Sequence, residues 1–347
     1  MNTLSWGILG TGRIAGVFAK QLSQSKTGKL AAVGSRTRAS AEKFAAEHHP
    51  ARSHASYDAL LADPAVQAVY ITTPHPMHAE WSIKAAEAGK HILCEKPLAL
   101  NYNEAKAAID AARKHDVFLM EAFMYRCHPQ TARLVDLLRQ KTIGEVRVIR
   151  GSFSFHREFN PDARLFSKNL GGGGILDVGC YPVSASRLIA GVAMGKPFAD
   201  PVEVKGCAHF AATGVDTWAV ASLKFPSDIL ASVTAGAEVQ QDNVLRIYGS
   251  HGKIFVAAPW TQINDGLATK ILVERKGESI QEIVVESSQP AYAIEADHVA
   301  AHIEKRQAPA MTWEDSLGNM KTLDRWRESI GLVYDSEKDV KRGGNVG

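Results

Sequence analysis

Leu4-Ser5-Trp6-Gly7-Ile8-Leu9-Gly10-Thr11-Gly12-Arg13-Ile14-Ala15 is the stretch that decides the fold. An apolar run of strand length, Ser5 to Leu9, passes directly into a glycine turn, and Ile14, Val17, Phe18 and Leu22 then recur at helical spacing. Gly10-Thr11-Gly12-Arg13-Ile14-Ala15 matches G-x-G-x-x-A in the strand-turn-helix context where that pattern has a mechanism. The first glycine permits the turn, the second lets the backbone approach a pyrophosphate, and small Ala15 lets helix and strand pack closely. The helix N-terminus supplies N–H groups and partial positive charge to the phosphates. Glycines also mark ordinary turns, so the context carries the reading of a dinucleotide site.

Outward from this stretch, short apolar runs alternate with helical patterns as far as about residue 122, the signature of a parallel sheet covered by helices. Leu30 to Gly34, Ala68 to Thr72, His91 to Cys94 and Val117 to Met120 read as further strands. Asn101 with Glu104 resembles a capping box, and Ala105, Ala108, Ile109 and Ala112 continue its helix. The fold class is α/β, an N-terminal Rossmann doubly wound parallel sheet whose ligands lie at the carboxyl ends of the strands. Near Ile143 the pattern changes. Residues 145–155, 202–210, 217–225, 229–239, 244–248, 253–257 and 270–274 read as strands of a large, open, mostly antiparallel sheet, with Gly249-Ser250-His251-Gly252 turning one into the next. Helices are predicted over 293–305 and 315–330, and the domains as 1–122 and 123–347.

A chain of 347 residues suits two domains, and 40 Lys+Arg against 37 Asp+Glu leave a formal charge of only +3, which argues against nucleic acid or an anionic membrane as a partner. Met1 to Gly10 has no basic segment leading an apolar one, and no apolar run reaches the length of a membrane span. Cys94, Cys127, Cys180 and Cys207 lack CxxC spacing and fit reduced thiols, so the expected location is cytoplasmic.

The second strand ends Gly34-Ser35-Arg36-Thr37-Arg38, without the carboxylate that holds an NAD ribose. Ser35 and Arg36 suit a 2'-phosphate, so NADP(H) is favoured over NAD(H), with dual use left open. Thr72-Thr73-Pro74-His75-Pro76-Met77-His78 brings polar groups to the same crevice. His75 and His78 have no clustered third ligand, so hydrogen bonding is preferred and no metal is expected. Glu95-Lys96-Pro97 closes another strand and holds Lys96 at the carboxyl edge, where it can donate to a hydroxyl or carbonyl as hydride moves; a surface ion pair with Glu95 is the alternative. After the run Gly171 to Gly174, Asp177 and Tyr181 stand four apart on one face if a helix begins there. Tyr181 can act as acid or base, helped by a neighbouring ammonium, and Asp177 can bind a sugar hydroxyl or position Lys96; a helix cap with a packing tyrosine is the alternative.

Gly10-Thr11-Gly12-Arg13-Ile14-Ala15, Thr73-Pro74 with His78, Glu95-Lys96-Pro97 and the glycine run into Asp177, taken in this order and spacing, resemble the Gfo/Idh/MocA oxidoreductases over essentially the whole chain. The resemblance implies a Rossmann domain followed by a substrate-binding and oligomerisation α+β domain, whose open sheet makes homodimers or homotetramers. It implies Lys96 as the catalytic lysine and Asp177 as the substrate carboxylate. Many members carry histidine where this chain has Tyr181, and that departure resembles the branch of glucose-fructose oxidoreductase, dimeric dihydrodiol dehydrogenase and NADP-dependent sugar dehydrogenases. Glu121-Ala122-Phe123-Met124-Tyr125-Arg126 is similar to that branch too, placing Arg126 near substrate or nicotinamide, while Arg164 and Tyr292 match cofactor-touching positions. The implied activity is hydride transfer between nicotinamide and a carbinol or carbonyl carbon of a sugar, cyclitol or related polyol. The alternative within the superfamily is a cofactor-retaining glycosidase acting by transient oxidation and elimination.

Overall fold

The computed structural model describes residues 3–261 and 268–337, which form two compact units: residues 3–129 with 286–317, and residues 130–261, 268–285 and 318–337.

In the first unit the chain alternates β1 (Leu4–Leu9), α1 (Arg13–Leu22), β2 (Gly28–Gly34), α2 (Arg38–His48), β3 (Arg52–His54), α3 (Tyr57–Leu61), β4 (Ala68–Ile71), α4 (His78–Glu87), β5 (His91–Glu95), α5 (Tyr102–Lys114), β6 (Leu119–Ala122) and α6 (Met124–Cys127). The six strands are parallel in the order β3-β2-β1-β4-β5-β6. Every residue of β1, β4 and β6 is buried, as a sheet covered on both faces requires. β3 adds a strand that the pattern did not predict, because Arg52-Ser53-His54 carries no apolar side chain. Asn101 caps α5 as expected: its Oδ1 accepts the Glu104 N–H at 3.0 Å, and the Glu104 carboxylate accepts from Asn101 Nδ2 at 3.2 Å.

The second unit contains α7 (Pro129–Arg139) apart from its first residue, β7 (Val146–Ser154), α8 (Cys180–Ala193), β8 (Glu203–Phe210), β9 (Asp216–Lys224), β10 (Leu230–Gly236), β11 (Val244–Gly249), β12 (Gly252–Ala257), β13 (Thr269–Arg275) and β14 (Gln281–Val285). The strands form one sheet in the order β14-β13-β12-β11-β7-β10-β9-β8, antiparallel throughout except for the parallel pair β7 and β10. β14 is an eighth strand beyond the seven read from periodicity. Strict alternation along β9 buries Ala219, Ala221 and Leu223 and exposes Trp218, Val220 and Ser222, so one face meets the core and the other is open. The segment Lys168–Ala193 is long and apolar enough to cross a membrane by composition, contrary to the expectation that no run reached that length, yet its most apolar window is wholly buried inside this unit. Its apolarity belongs to a core helix.

Two further helices are α9 (Ala291–His302) and α10 (Trp313–Ser329). α9 is tied to the entry of β2 by Asp297, whose Oδ1 accepts from Ser25 Oγ at 2.5 Å and from Thr27 Oγ1 at 2.6 Å, and whose Oδ2 accepts from the Lys26 N–H at 3.0 Å and Gln289 Nε2 at 2.9 Å. These bonds hold the carboxyl below its ordinary value despite partial desolvation. Asp297→Ala leaves several donors without acceptors and should lower unfolding free energy by about 1–3 kcal/mol, measured by denaturant titration at neutral pH.

Candidate active site

Register places the nucleotide-binding groups side by side. Leu9 of β1 lies opposite Gly34 of β2 and Ile71 of β4, and Ile71 lies opposite Cys94 of β5. The residues that follow, Ser35, Gly10, Thr72 and Glu95, therefore emerge at adjacent strand ends, about 5 Å apart per strand. The row runs from Ser35-Arg36 through the glycine turn and Thr72-Thr73-Pro74-His75 to Glu95-Lys96. It lies on both sides of β1 and β4, where the strand order switches direction.

The glycine turn has the form a pyrophosphate needs. Gly10 holds φ +112°, and a Cβ there would stand 2.5 Å from Thr72 Oγ1, which itself donates to the Leu9 carbonyl at 2.9 Å. A Cβ on Gly12 would meet nothing within 4 Å, so the space before α1 is open, and Gly12 caps the helix with no side chain. Its first-turn N–H groups, beside exposed Arg13 and half-buried Thr11 and Ile14, suit an anion. Ser35 is buried with its Oγ 3.4 Å from Thr11 Oγ1, whereas Arg36 is exposed beyond it. Thr73 Oγ1 is buried without a hydrogen-bond partner. These residues fit a nicotinamide dinucleotide.

At the far end of the row β5 stops at Glu95, the Lys96–Pro97 peptide is cis, and Lys96 is half-buried. Buried Glu95 accepts a hydrogen bond from Tyr70, whose ring stacks on Phe18 at 4.0 Å, so the residue before the lysine is pinned to the core. His78 is buried at the start of α4 with Nδ1 2.7 Å from the Pro97 carbonyl and Nε2 2.7 Å from the Thr73 carbonyl. It is thus a strut joining two of the turns in the row, and His75 packs edge-on against it at 5.6 Å. Arg126 is drawn inward: its Nη2 donates to Asp315 Oδ2 at 2.6 Å, and both side chains are buried. Tyr292 is buried as well, its ring edge-on to Phe18 at 6.5 Å and its N–H donating to Gln21 Oε1 at 3.0 Å.

Among the buried acids of this unit, Asp63, Asp315 and Glu295 were not singled out by sequence pattern. Glu295 has 0% exposure and neither carboxyl oxygen has a hydrogen-bond partner, so burial, reinforced by the Glu95 charge, holds its pKa well above the ordinary 4.5.

In the second unit a single π-helical turn, Ile175–Gly179, follows the glycine run and leads into α8. Such turns displace side chains from regular helical positions and are frequent at functional sites. Asp177 lies on the turn, its Oδ1 accepting from Arg164 Nη2 at 2.8 Å, and Tyr181 lies in the first turn of α8. The Tyr181 ring packs edge-on to Phe153 at 5.2 Å and tilted against Trp260 at 5.7 Å, which fixes its direction. Arg164, matched by resemblance to a cofactor position, is thus a partner of the Asp177 carboxylate.

With the geometry in place, comparison with known proteins fixes the family. Residues 4–123 match the oxidoreductase family with an NAD-binding Rossmann fold, and residues 131–255 match the GFO/IDH/MocA C-terminal domain. The chain belongs to the GFO/IDH/MocA oxidoreductase family. It is 33% identical to a D-xylose 1-dehydrogenase (NADP(+)) of Haloferax volcanii, over 94% of this chain and 97% of that one. It is also 33% identical to a trans-1,2-dihydrobenzene-1,2-diol dehydrogenase of Xenopus laevis, over 95% and 98%. Among solved structures, a 3-ketoreductase from Actinomadura kijaniata in complex with NADP and TDP-benzene superposes with a TM-score of 0.83 at 28% identity, covering 95% of this chain and 98% of that one.

Glu295 carries a stability prediction. A raised folded pKa means that the native state keeps a proton the unfolded chain has released, so its contribution is full below pH 4.5 and is lost as pH rises toward the folded value. Glu295→Met should therefore raise unfolding free energy at pH 8 by about 1–3 kcal/mol and flatten the decline between pH 5 and 8, read from denaturant midpoints across that range.

Proposed function

We propose that this protein catalyses reversible hydride transfer between NADP(H) and a carbinol or carbonyl carbon of a sugar, cyclitol or related polyol. The observation that carries the reading is the row of strand ends, which sets an anion-binding glycine turn and Lys96 on one edge of one sheet. When bound, the cofactor supplies the hydride acceptor or donor at its nicotinamide ring. The chain supplies the rest. The turn before α1 takes the pyrophosphate, with Thr72, Thr73, Pro74, His75 and His78 shaping the crevice. Ser35 and Arg36 take the ribose 2'-phosphate, consistent with the NADP named for the archaeal xylose dehydrogenase and the 3-ketoreductase.

Tyr181 moves the proton of the reacting hydroxyl, and the Lys96 ammonium stabilises the phenolate form of that tyrosine. Asp177, held by Arg164, accepts hydrogen bonds from a neighbouring substrate hydroxyl, which is how one carbon of a polyol is told from the next. The buried pairing of Arg126 with Asp315 favours an indirect part for Arg126 over direct contact with substrate or nicotinamide. The relatives named for a xylose and for a dihydrodiol share a vicinal diol as substrate chemistry.

The open face of the second unit favours a homodimer or homotetramer through that sheet. Trp218, Val220 and Leu230 are 41%, 48% and 48% exposed on it, and the His209 ring lies parallel on Trp218 at 3.8 Å. Trp218 and Val220 are neighbours on that face, and exposed apolar groups on an open sheet suit an association surface.

Three outcomes test these readings. Lys96→Met should lower kcat with NADP and a responsive aldose or diol at least about a hundredfold while NADPH affinity, read by fluorescence, stays within about twofold. Retained turnover refutes the role, and release of an aglycone without net NADP reduction points to the glycosidase instead. Arg36→Ala should cut the preference for NADP over NAD in kcat/KM by about tenfold or more. Trp218→Asp with Val220→Asp should give a monomer in light scattering if the sheet face joins subunits.

A further inference from the structure

We propose that Asp216, assisted by Tyr334, is a positioning residue that holds the glycine run in the single conformation presenting Asp177 and Tyr181 to substrate; this rests on the hydride-transfer reading above. Four consecutive glycines restrain their own backbone poorly, and Gly171 and Gly173 hold φ of +64° and +113°. The segment needs ties from rigid elements, and the structure supplies one on each side.

Asp216 opens β9 and is fully buried. Its Oδ2 accepts the Ile175 N–H at 2.7 Å, at the first residue of the π-helical turn. Its Oδ1 lies against the run itself, where a Cβ on Gly173 would come within 2.2 Å of it. On the other side, Tyr334 Oη donates to the Gly172 carbonyl at 2.7 Å. Tyr334 is held in turn because its N–H donates to Glu337 at 2.8 Å, and Glu337 receives both Nη atoms of Arg327 at 2.9 Å. Within the segment, Gly172 N–H donates to the Ser167 carbonyl and Gly173 N–H to the Leu165 carbonyl, and the Gly173 carbonyl accepts from the Asp177 N–H at 3.3 Å, while Asp216 on β9 and the Tyr334 clasp tie it to elements outside it.

Two residues after Ile175 comes Asp177, and four after that Tyr181. Release at Ile175 would let the turn carrying both side chains relax toward a regular helix and redirect them. Small displacements of this kind are costly to catalysis. Asp216 acts through the Ile175 backbone N–H.

The carboxyl also gives the loop a pH response. Burial pushes Asp216 up to about 7, opposed by backbone N–H bonds and the Arg327 charge. Arg327 from α10 and Tyr334 from the segment after it act on the Asp216 carboxyl, and Glu337 and Asp177 act in turn on Tyr334. Ionised, Asp216 is the stronger acceptor for Ile175, so the loop tightens as pH rises through about 7.

The test uses the full chain with Asp216→Asn and Tyr334→Phe, each retaining the shape of the residue it replaces. Backbone hydrogen exchange in residues 171–181 should rise at least tenfold in both, while NADPH affinity stays within twofold. With a responsive sugar or diol, KM should rise at least fivefold and kcat/KM fall at least tenfold, and the limb of the kcat/KM profile near pH 7 should vanish in Asp216→Asn. Unchanged exchange in 171–181 overturns the proposal, as does raised exchange with KM unaltered, which would mark a purely structural tie. If Asp216→Asn does not fold, Tyr334→Phe decides by the same criteria. Exchange reads the loop without turnover, so a wild-type chain inactive on every sugar and diol would refute the hydride-transfer reading while exchange still judged the tie.

Discussion

Parallel pairing in register at the carboxyl edge of the first sheet is the constraint on which the proposed chemistry rests. Gly34, Leu9, Ile71 and Cys94 are level across four strands, so the turns after them open onto one line. A slip of one residue in any pairing would turn that strand's side chains to the opposite face and move its turn by about 3.3 Å along the strand. Burial opposes such a slip, because β1 and β4 are apolar on both faces and tightly enclosed.

Two struts fix the line laterally. Tyr70 reaches from β4 to Glu95 at the end of β5, and His78 reaches from α4 to the carbonyls of Thr73 and Pro97. The backbone on both sides of Lys96 is thereby fixed. The second unit uses the same device on a glycine-rich segment, with carboxyl and phenol groups from distant elements replacing the missing intrinsic stiffness.

What the sequence revealed was what local pattern encodes. The glycine turn, the Asn101 cap, the strands with alternating or continuous apolar residues and the position of Lys96 all follow from neighbours within a few residues. β3 was invisible because pairing with β2, not side-chain character, makes Arg52-Ser53-His54 a strand. The Arg126 to Asp315 pair joins residues 189 apart, and Asp216 meets Ile175 across 41, so no spacing rule discloses either. Glu295 shows the same limit from the opposite direction: in sequence it is one acid on a helix, and only the packing around α9 reveals that its carboxyl is enclosed without a partner.

The linear order of the strand ends has a consequence for how such a protein changes over time. Arg36 follows β2 and Lys96 follows β5, three strand spacings or about 15 Å apart, with the glycine turn between them. The Lys96 turn is bound to its neighbour through His78. With the proposed roles of Arg36 and Lys96, choice of dinucleotide and choice of reaction sit on turns after different strands. On those roles a lineage would exchange one redox pool for another at the β2 end, three strands from the lysine, while drift in the Thr73 turn is constrained by the His78 strut it shares with the Lys96 turn.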